Sequence, residues 1–133
     1  AAALNIIPTK TGASEAAAKV IPSLKGKIDG KAIRVPVPVG SLIDVTAELE
    51  KSTTVDEIKS EMKKASLGSR KGILGYTDEP IVSSDIVGDK RSSIFDSKLT
   101  KVIGGNLVQV VSWYDNEMGY SQRIVDLVKQ LKL

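Results

Sequence analysis

The stretch from Leu107 to Leu133, LVQVVSWYDNEMGYSQRIVDLVKQLKL, restricts the fold more than any other part of this chain. Its first half carries β-favouring residues at Val108, Val110, Val111 and Trp113, and its second half places Tyr120, Ile124, Leu127 and Leu131 at helical spacing. Only the polar turn Tyr114-Asp115-Asn116-Glu117 lies between them, so a buried strand must hand the chain directly to an amphipathic helix. Such a junction holds a side-chain amide and an aromatic ring at fixed positions beside unpaired backbone N–H groups. Two readings of it are open. Asn116 either caps the helix or faces a ligand, and Tyr120 either packs beneath the helix or borders that ligand.

The 133 residues suit a single domain, residues 1–133, with enough chain to bury a core. Nineteen Lys and Arg stand against sixteen Asp and Glu, scattered and not gathered in one block. The net charge of +3 gives little support for nucleic-acid binding, which favours a concentrated basic face with stacking aromatics, and is compatible with an anionic metabolite. The chain has no Cys and no His. That removes a disulfide framework, a Cys/His zinc site, a Cys nucleophile and any Ser-His triad formed within it, so the chain itself is expected to hold no catalytic residue and no metal. No apolar run approaches a membrane span and AAALNIIPTK lacks the form of a signal peptide, which together predict a cytoplasmic protein with no membrane partner.

Taken in order, Ala1 to Ile7 reads as a short extended or mixed segment stopped by Pro8. Ala13 to Ile21 reads as a helix with Thr11 as its N-cap and Glu15 in its first turn; the same Thr11-Gly12 start is also a geometry that binds anions. Pro22 and Gly26 end it, and Ile28 to Lys31 forms a turn. Ala32 to Val39 is extended but carries Pro36 and Pro38, which confines it to an edge; Arg34 within it is either a solvated surface residue or a ligand contact. From Leu42 to Glu50, Ile43, Val45, Ala47 and Leu49 alternate with polar residues, predicting a strand with one buried face. Thr54-Val55-Asp56-Glu57 is a capping box opening a helix with an apolar face at Val55, Ile58, Met62 and Ala65, stopped by Gly68. Short strands are predicted at Ile73–Tyr76, Ile81–Ser83, Ser92–Phe95 and Leu99–Ile103, the last joined to Leu107 by a hairpin at Gly104-Gly105-Asn106. The sum is α+β: a mixed, mainly antiparallel sheet with about three helices on one face and the other face free to meet something else.

Five runs in this order resemble the C-terminal part of the catalytic domain of the phosphorylating glyceraldehyde-3-phosphate dehydrogenases. They are Asn5-Ile6-Ile7-Pro8 with Thr11-Gly12, Ile33-Arg34-Val35-Pro36, Lys71 to Thr77, Ser92 to Asp96, and Trp113 to Glu117 with Gly119-Tyr120-Ser121, and they extend across essentially the whole chain. The resemblance implies that Thr11 and Gly12 contribute to the inorganic phosphate site and that Arg34 contacts substrate phosphate, a task suited to a guanidinium that can bond two oxygens at once. It also implies that Asn116 contacts the nicotinamide carboxamide and Tyr120 lies beside the nicotinamide ring, so that shaping the helix start and facing the cofactor need not compete. Lys10, where the family usually has a small hydroxyl residue, adds charge beside Thr11, and Met118 replaces a common aromatic.

The family oxidises and phosphorylates glyceraldehyde 3-phosphate to 1,3-bisphosphoglycerate with NAD or NADP, through a Cys thiolate and a His base. Neither residue exists here, nor does the Gly-rich dinucleotide fingerprint. The chain therefore reads as a fragment of a cytoplasmic, homotetrameric glycolytic enzyme, inactive alone, binding no cofactor by itself, with the missing N-terminal part of the same protein as its partner. The alternative is a non-catalytic interaction or oligomerisation module derived from that enzyme.

Overall fold

Residues 2–131 are described by the computed structural model; Ala1, which opens the first expected segment, and residues 132 and 133, which close the last, lie outside the described residues. Three α-helices, a mixed sheet and a small antiparallel sheet give the α+β class expected from the sequence. The chain forms two compact units, Ala1–Pro38 and Val39–Leu133.

The first unit pairs β1 (Ile7–Thr9) with β2 (Ala32–Arg34) antiparallel, setting Ile7 opposite Arg34 and Thr9 opposite Ala32. Pro8 lies inside β1 and does not stop it, because each strand of a two-stranded sheet has an open edge and an N–H pointing there bonds nothing. Helix α1 (Ala13–Val20) runs as expected to within one residue and is followed by a 3-10 turn at Pro22–Leu24. Its N-cap residue is Gly12 and not Thr11. The Thr11 hydroxyl still serves the helix start, accepting the Ala13 N–H at 3.1 Å. No described residue of this unit is buried.

In the second unit β3 (Ser41–Glu48), α2 (Val55–Leu67), β4 (Leu74–Thr77), β5 (Ser93–Ile103), β6 (Leu107–Tyr114) and α3 (Met118–Gln130) follow in turn. The sheet order is β3-β6-β5-β4, antiparallel except for the parallel pair β4 and β5. The capping box of α2 forms as read: Thr54 Oγ1 accepts the Glu57 N–H at 3.2 Å, and Glu57 Oε2 accepts the Thr54 N–H at 2.8 Å. Val55, Ile58, Met62 and Ala65 are half-buried where α2 packs on β4 and β5. Phe95 is fully buried, with Ile86, Ile94, Val108 and Val111 also in the core.

Four expectations are corrected. Ile81–Ser83 is not a strand: Asp85 folds back to accept the Val82 N–H at 2.7 Å, and the chain makes a 3-10 turn at Ser83–Ile86. Ser92–Phe95 and Leu99–Ile103 are one strand, β5, interrupted by a bulge between Asp96 and Lys101. Buried Asp96 organises that bulge, taking the Lys98 and Leu99 N–H groups on one oxygen and the Trp113 indole N–H on the other at 2.9 Å.

The third correction concerns β3, where alternation marks a strand but not a buried face. Ile43 and Val45 share the face of Ser112 and Val110 by register, yet remain 47% and 39% exposed. Because β3 is an edge strand and α2 packs on β4 and β5, Ile43 and Val45 stay exposed among the described residues. The fourth is α3, which buries Gly119 and half-buries Met118, Gln122, Arg123 and Asp126, while Ile124, Leu127 and Leu131 are exposed. The core is therefore smaller than the chain length predicts, and the apolar stripe of α3 points outward.

Candidate functional site

The turn after β6 is fixed by Asp115, a side chain only 4% exposed. Asp115 Oδ1 accepts the N–H groups of Glu117 at 2.8 Å and Met118 at 2.9 Å, and Oδ2 accepts the Gly88 N–H at 2.8 Å. Helix α3 accordingly starts at Met118 with Glu117 at the N-cap position, and its first amides are satisfied by Asp115, not by Asn116. The Gly88 bond first, then those from Met118 and Glu117, hold the Asp115 carboxyl below the ordinary carboxylate range, with burial opposing.

Relieved of capping, the Asn116 side chain turns to the loop before β3. Its Oδ1 accepts from the Gly40 N–H at 3.2 Å and the Ser41 hydroxyl at 3.4 Å. A backbone N–H can only donate, which fixes the oxygen toward Gly40 and presents the Nδ2 amino group to the other side. Gly40 has φ +96°, and a Cβ there would lie 2.7 Å from the Ser83 carbonyl oxygen. Only glycine brings this N–H to Asn116 while passing so close to the 3-10 turn.

The segment from Gly88 to Ser92 clamps the same turn from behind. Gly88 bonds Asp115, a Cβ on Gly119 would come within 3.1 Å of the Arg91 carbonyl oxygen, and Arg123 Nη1 donates to Ser92 Oγ at 3.1 Å. Arg91 is itself held by Asp89, with Nε to Oδ1 at 2.9 Å. Tyr120 stands in the first turn of α3 with 70% of its surface exposed, so it does not pack beneath the helix. An exposed ring and an oriented amide donor thus sit four residues apart on a rigid turn, an arrangement able to hold a flat amide-bearing ring.

Thr11, Gly12 and Arg34 belong to the first unit. Thr11 lines an open cavity of about 1070 Å³ in which Lys10, Lys19, Lys25 and Lys31 stand against the carboxylates of Glu15 and Asp29, a net positive surrounding compatible with an anion. Arg34 is exposed at the end of β2 and has no ion pair among the described residues. Its neighbour across the sheet, Ile7, is four residues from Thr11, at most about 14 Å of chain. Sequence reasoning missed Asp115, Gly40, Gly88 and Arg91 as the groups that fix the turn. The signal for Asp115 was present, since Asp bonding the amides two and three residues on is a common turn device; the others depend on long-range contacts.

Residues 1–116 match the family model described as glyceraldehyde 3-phosphate dehydrogenase, C-terminal domain. The chain is 63% identical over 128 residues to the glyceraldehyde-3-phosphate dehydrogenase of Mycobacterium avium, covering 96% of this chain and 38% of that protein. It is 62% identical over 128 residues to that of Mycolicibacterium smegmatis, with 96% and 37% covered. Against the cytosolic glyceraldehyde-3-phosphate dehydrogenase of Pinus sylvestris it is 55% identical over 127 residues, again covering 96% and 37%. The chain thus spans under two fifths of the length of the curated relatives it matches.

Proposed function

Because the chain belongs to the family of glyceraldehyde 3-phosphate dehydrogenase C-terminal domains, we propose that it is one wall of the active site of a longer dehydrogenase. In this reading residues 1–133 form a single C-terminal piece of a cytoplasmic glycolytic enzyme that oxidises and phosphorylates glyceraldehyde 3-phosphate with NAD or NADP. The observation that carries the reading is the Asn116 amide, oriented by Gly40 and Ser41 with its amino group unclaimed among the described residues, and the exposed Tyr120 ring four residues on.

The residues present fit the carboxamide end of a nicotinamide: Asn116 Nδ2 donates to its carbonyl and Tyr120 lines the ring. A bound nicotinamide supplies the hydride acceptor; the work of this chain is to orient it. Thr11 and Gly12 offer a hydroxyl and a helix start to inorganic phosphate, and Arg34 offers two parallel donors to the substrate phosphate. The nucleophile and base are assigned to the remainder of the longer protein, which is also the partner for the outward stripe of α3 at Ile124, Leu127 and Leu131.

The homogeneous chain, given glyceraldehyde 3-phosphate, NAD or NADP and phosphate, is expected to form no reduced cofactor in an absorbance assay. Turnover by the pure chain sinks this assignment of roles.

A second reading is favoured by the exposed Ile43 and Val45 on β3: the chain also serves as an assembly surface between copies, as in a homotetramer. Sedimentation of the chain over a range of concentrations is expected to show self-association that Val45→Lys abolishes. A strict monomer at all concentrations counts against it.

A further inference from the structure

A groove of about 800 Å³ runs between the C-terminal half of α3 and the turn before β4, apart from every residue assigned above to phosphate or nicotinamide. Lys71, Lys90, Arg123 and Lys129 line it from three chain segments, against one lining carboxylate, Asp126. That carboxylate is already engaged: it accepts from Gln122 Nε2 at 2.8 Å and pairs with Arg123 Nη2 at 2.7 Å. The Gln122 bond, then the charges of Arg123 and Lys129, keep Asp126 ionised to lower pH than an ordinary carboxyl, with burial opposing. Lys71, Lys90 and Lys129 have no ion pair among the described residues. Arg123 commits Nη1 to Ser92 and Nη2 to Asp126, and its buried Nε–H has no partner among the described residues.

Like charges lining one groove repel, and an anion bound among them turns that repulsion into attraction. The C-terminal end of α3 opposes an anion with about half a negative charge, which three unpaired ammonium groups outweigh. The groove is far larger than one phosphate group, and Ile73 adds apolar wall. We propose that this groove binds a ligand through a diphosphate group, whose oxygens bridge Lys71, Lys90 and Lys129. The inference does not rest on the dehydrogenase reading.

Calorimetric titration of the chain with inorganic pyrophosphate at low salt tests it. Saturable binding is expected with one equivalent assigned to this groove, and that equivalent is weakened about tenfold or more by combining Lys71→Gln, Lys90→Gln and Lys129→Gln, which leave the Thr11 cavity intact. A control with Lys51→Gln, Lys98→Gln and Lys101→Gln, exposed residues that line neither this groove nor the Thr11 cavity, changes the net charge equally and is expected to bind as the parent does. Melting curves of both triple variants without ligand verify that each is folded. The proposal is overturned if pyrophosphate does not bind, if the groove variant binds as tightly as the parent, if the control loses as much, or if orthophosphate binds equally well. Titration with ADP separates the two sources of the group: tighter binding than pyrophosphate assigns a nucleotide, and equal or weaker binding assigns the free inorganic anion.

Discussion

Replacing Asp115 with alanine is expected to lower the stability of the second unit by roughly 3 kcal/mol and its melting temperature by more than about 10 °C. Three backbone N–H groups, from Gly88, Glu117 and Met118, lose their acceptor at once, in a place where the side chain is buried. An unpaired buried donor costs about 1–3 kcal/mol, and water reaching part of the turn offsets some of the total. Asp115→Asn keeps the shape and one oxygen and is expected to cost less. The two charge states also predict a pH dependence. The folded-state pKa is depressed, so the carboxylate contributes its full stability above the unfolded value of about 3.9 and loses it as pH falls through the lower folded value. Urea unfolding of the parent and of Asp115→Asn is expected to differ most above about pH 5, to differ less as pH falls below about 4, and to converge only below the depressed folded value. A constant difference across that range removes the charge from the account.

Arg34→Leu, made in the longer protein that carries this sequence, is expected to reduce kcat/KM for the aldehyde phosphate by about 10²–10³-fold. The guanidinium is exposed and free of ion pairs among the described residues, so its donors are available to a phosphate and its removal breaks no contact that holds the fold. Melting temperature is expected to stay within about 2 °C of the parent, since exposed substitutions of this kind change stability by about 0.5 kcal/mol. Arg34→Lys keeps the charge but not the planar pair of donors and is expected to recover only part of the loss. A large fall in melting temperature accompanying the kinetic loss would mark Arg34 as structural instead.

Local signals in the sequence proved sufficient where the physics is local. The Thr54–Glu57 box, the Gly104-Gly105-Asn106 hairpin and the passage from β6 to α3 each depend on residues a few positions apart, and each forms as read or within a few residues. What failed depends on distant partners. Alternation from Ile43 to Leu49 set the strand, but whether a face is buried depends on what covers it, and α2 lies over the other half of the sheet. The helical stripe of α3 fixed the helix, yet Arg123 faces inward because Ser92 offers it a partner, and Asp126 pairs with Arg123 and Gln122 on the same side. Of the site, the residue types of Asn116 and Tyr120 were legible but the division of labour was not. Capping falls to Asp115, which leaves the Asn116 amide to Gly40 across 76 residues of sequence.

That division of labour leads to the most direct measurement: initial rates of the longer protein and of its Asn116→Ala and Arg34→Leu variants, with each ligand varied in turn. The expected result is a separation, in which Asn116→Ala raises KM for the nicotinamide cofactor about tenfold or more and Arg34→Leu acts on the phosphate-bearing substrate while leaving cofactor KM in place. If both variants, folded to the parent's melting temperature, keep the parent's kinetics toward every ligand, the turn after β6 and the edge strand β2 are not walls of the active site.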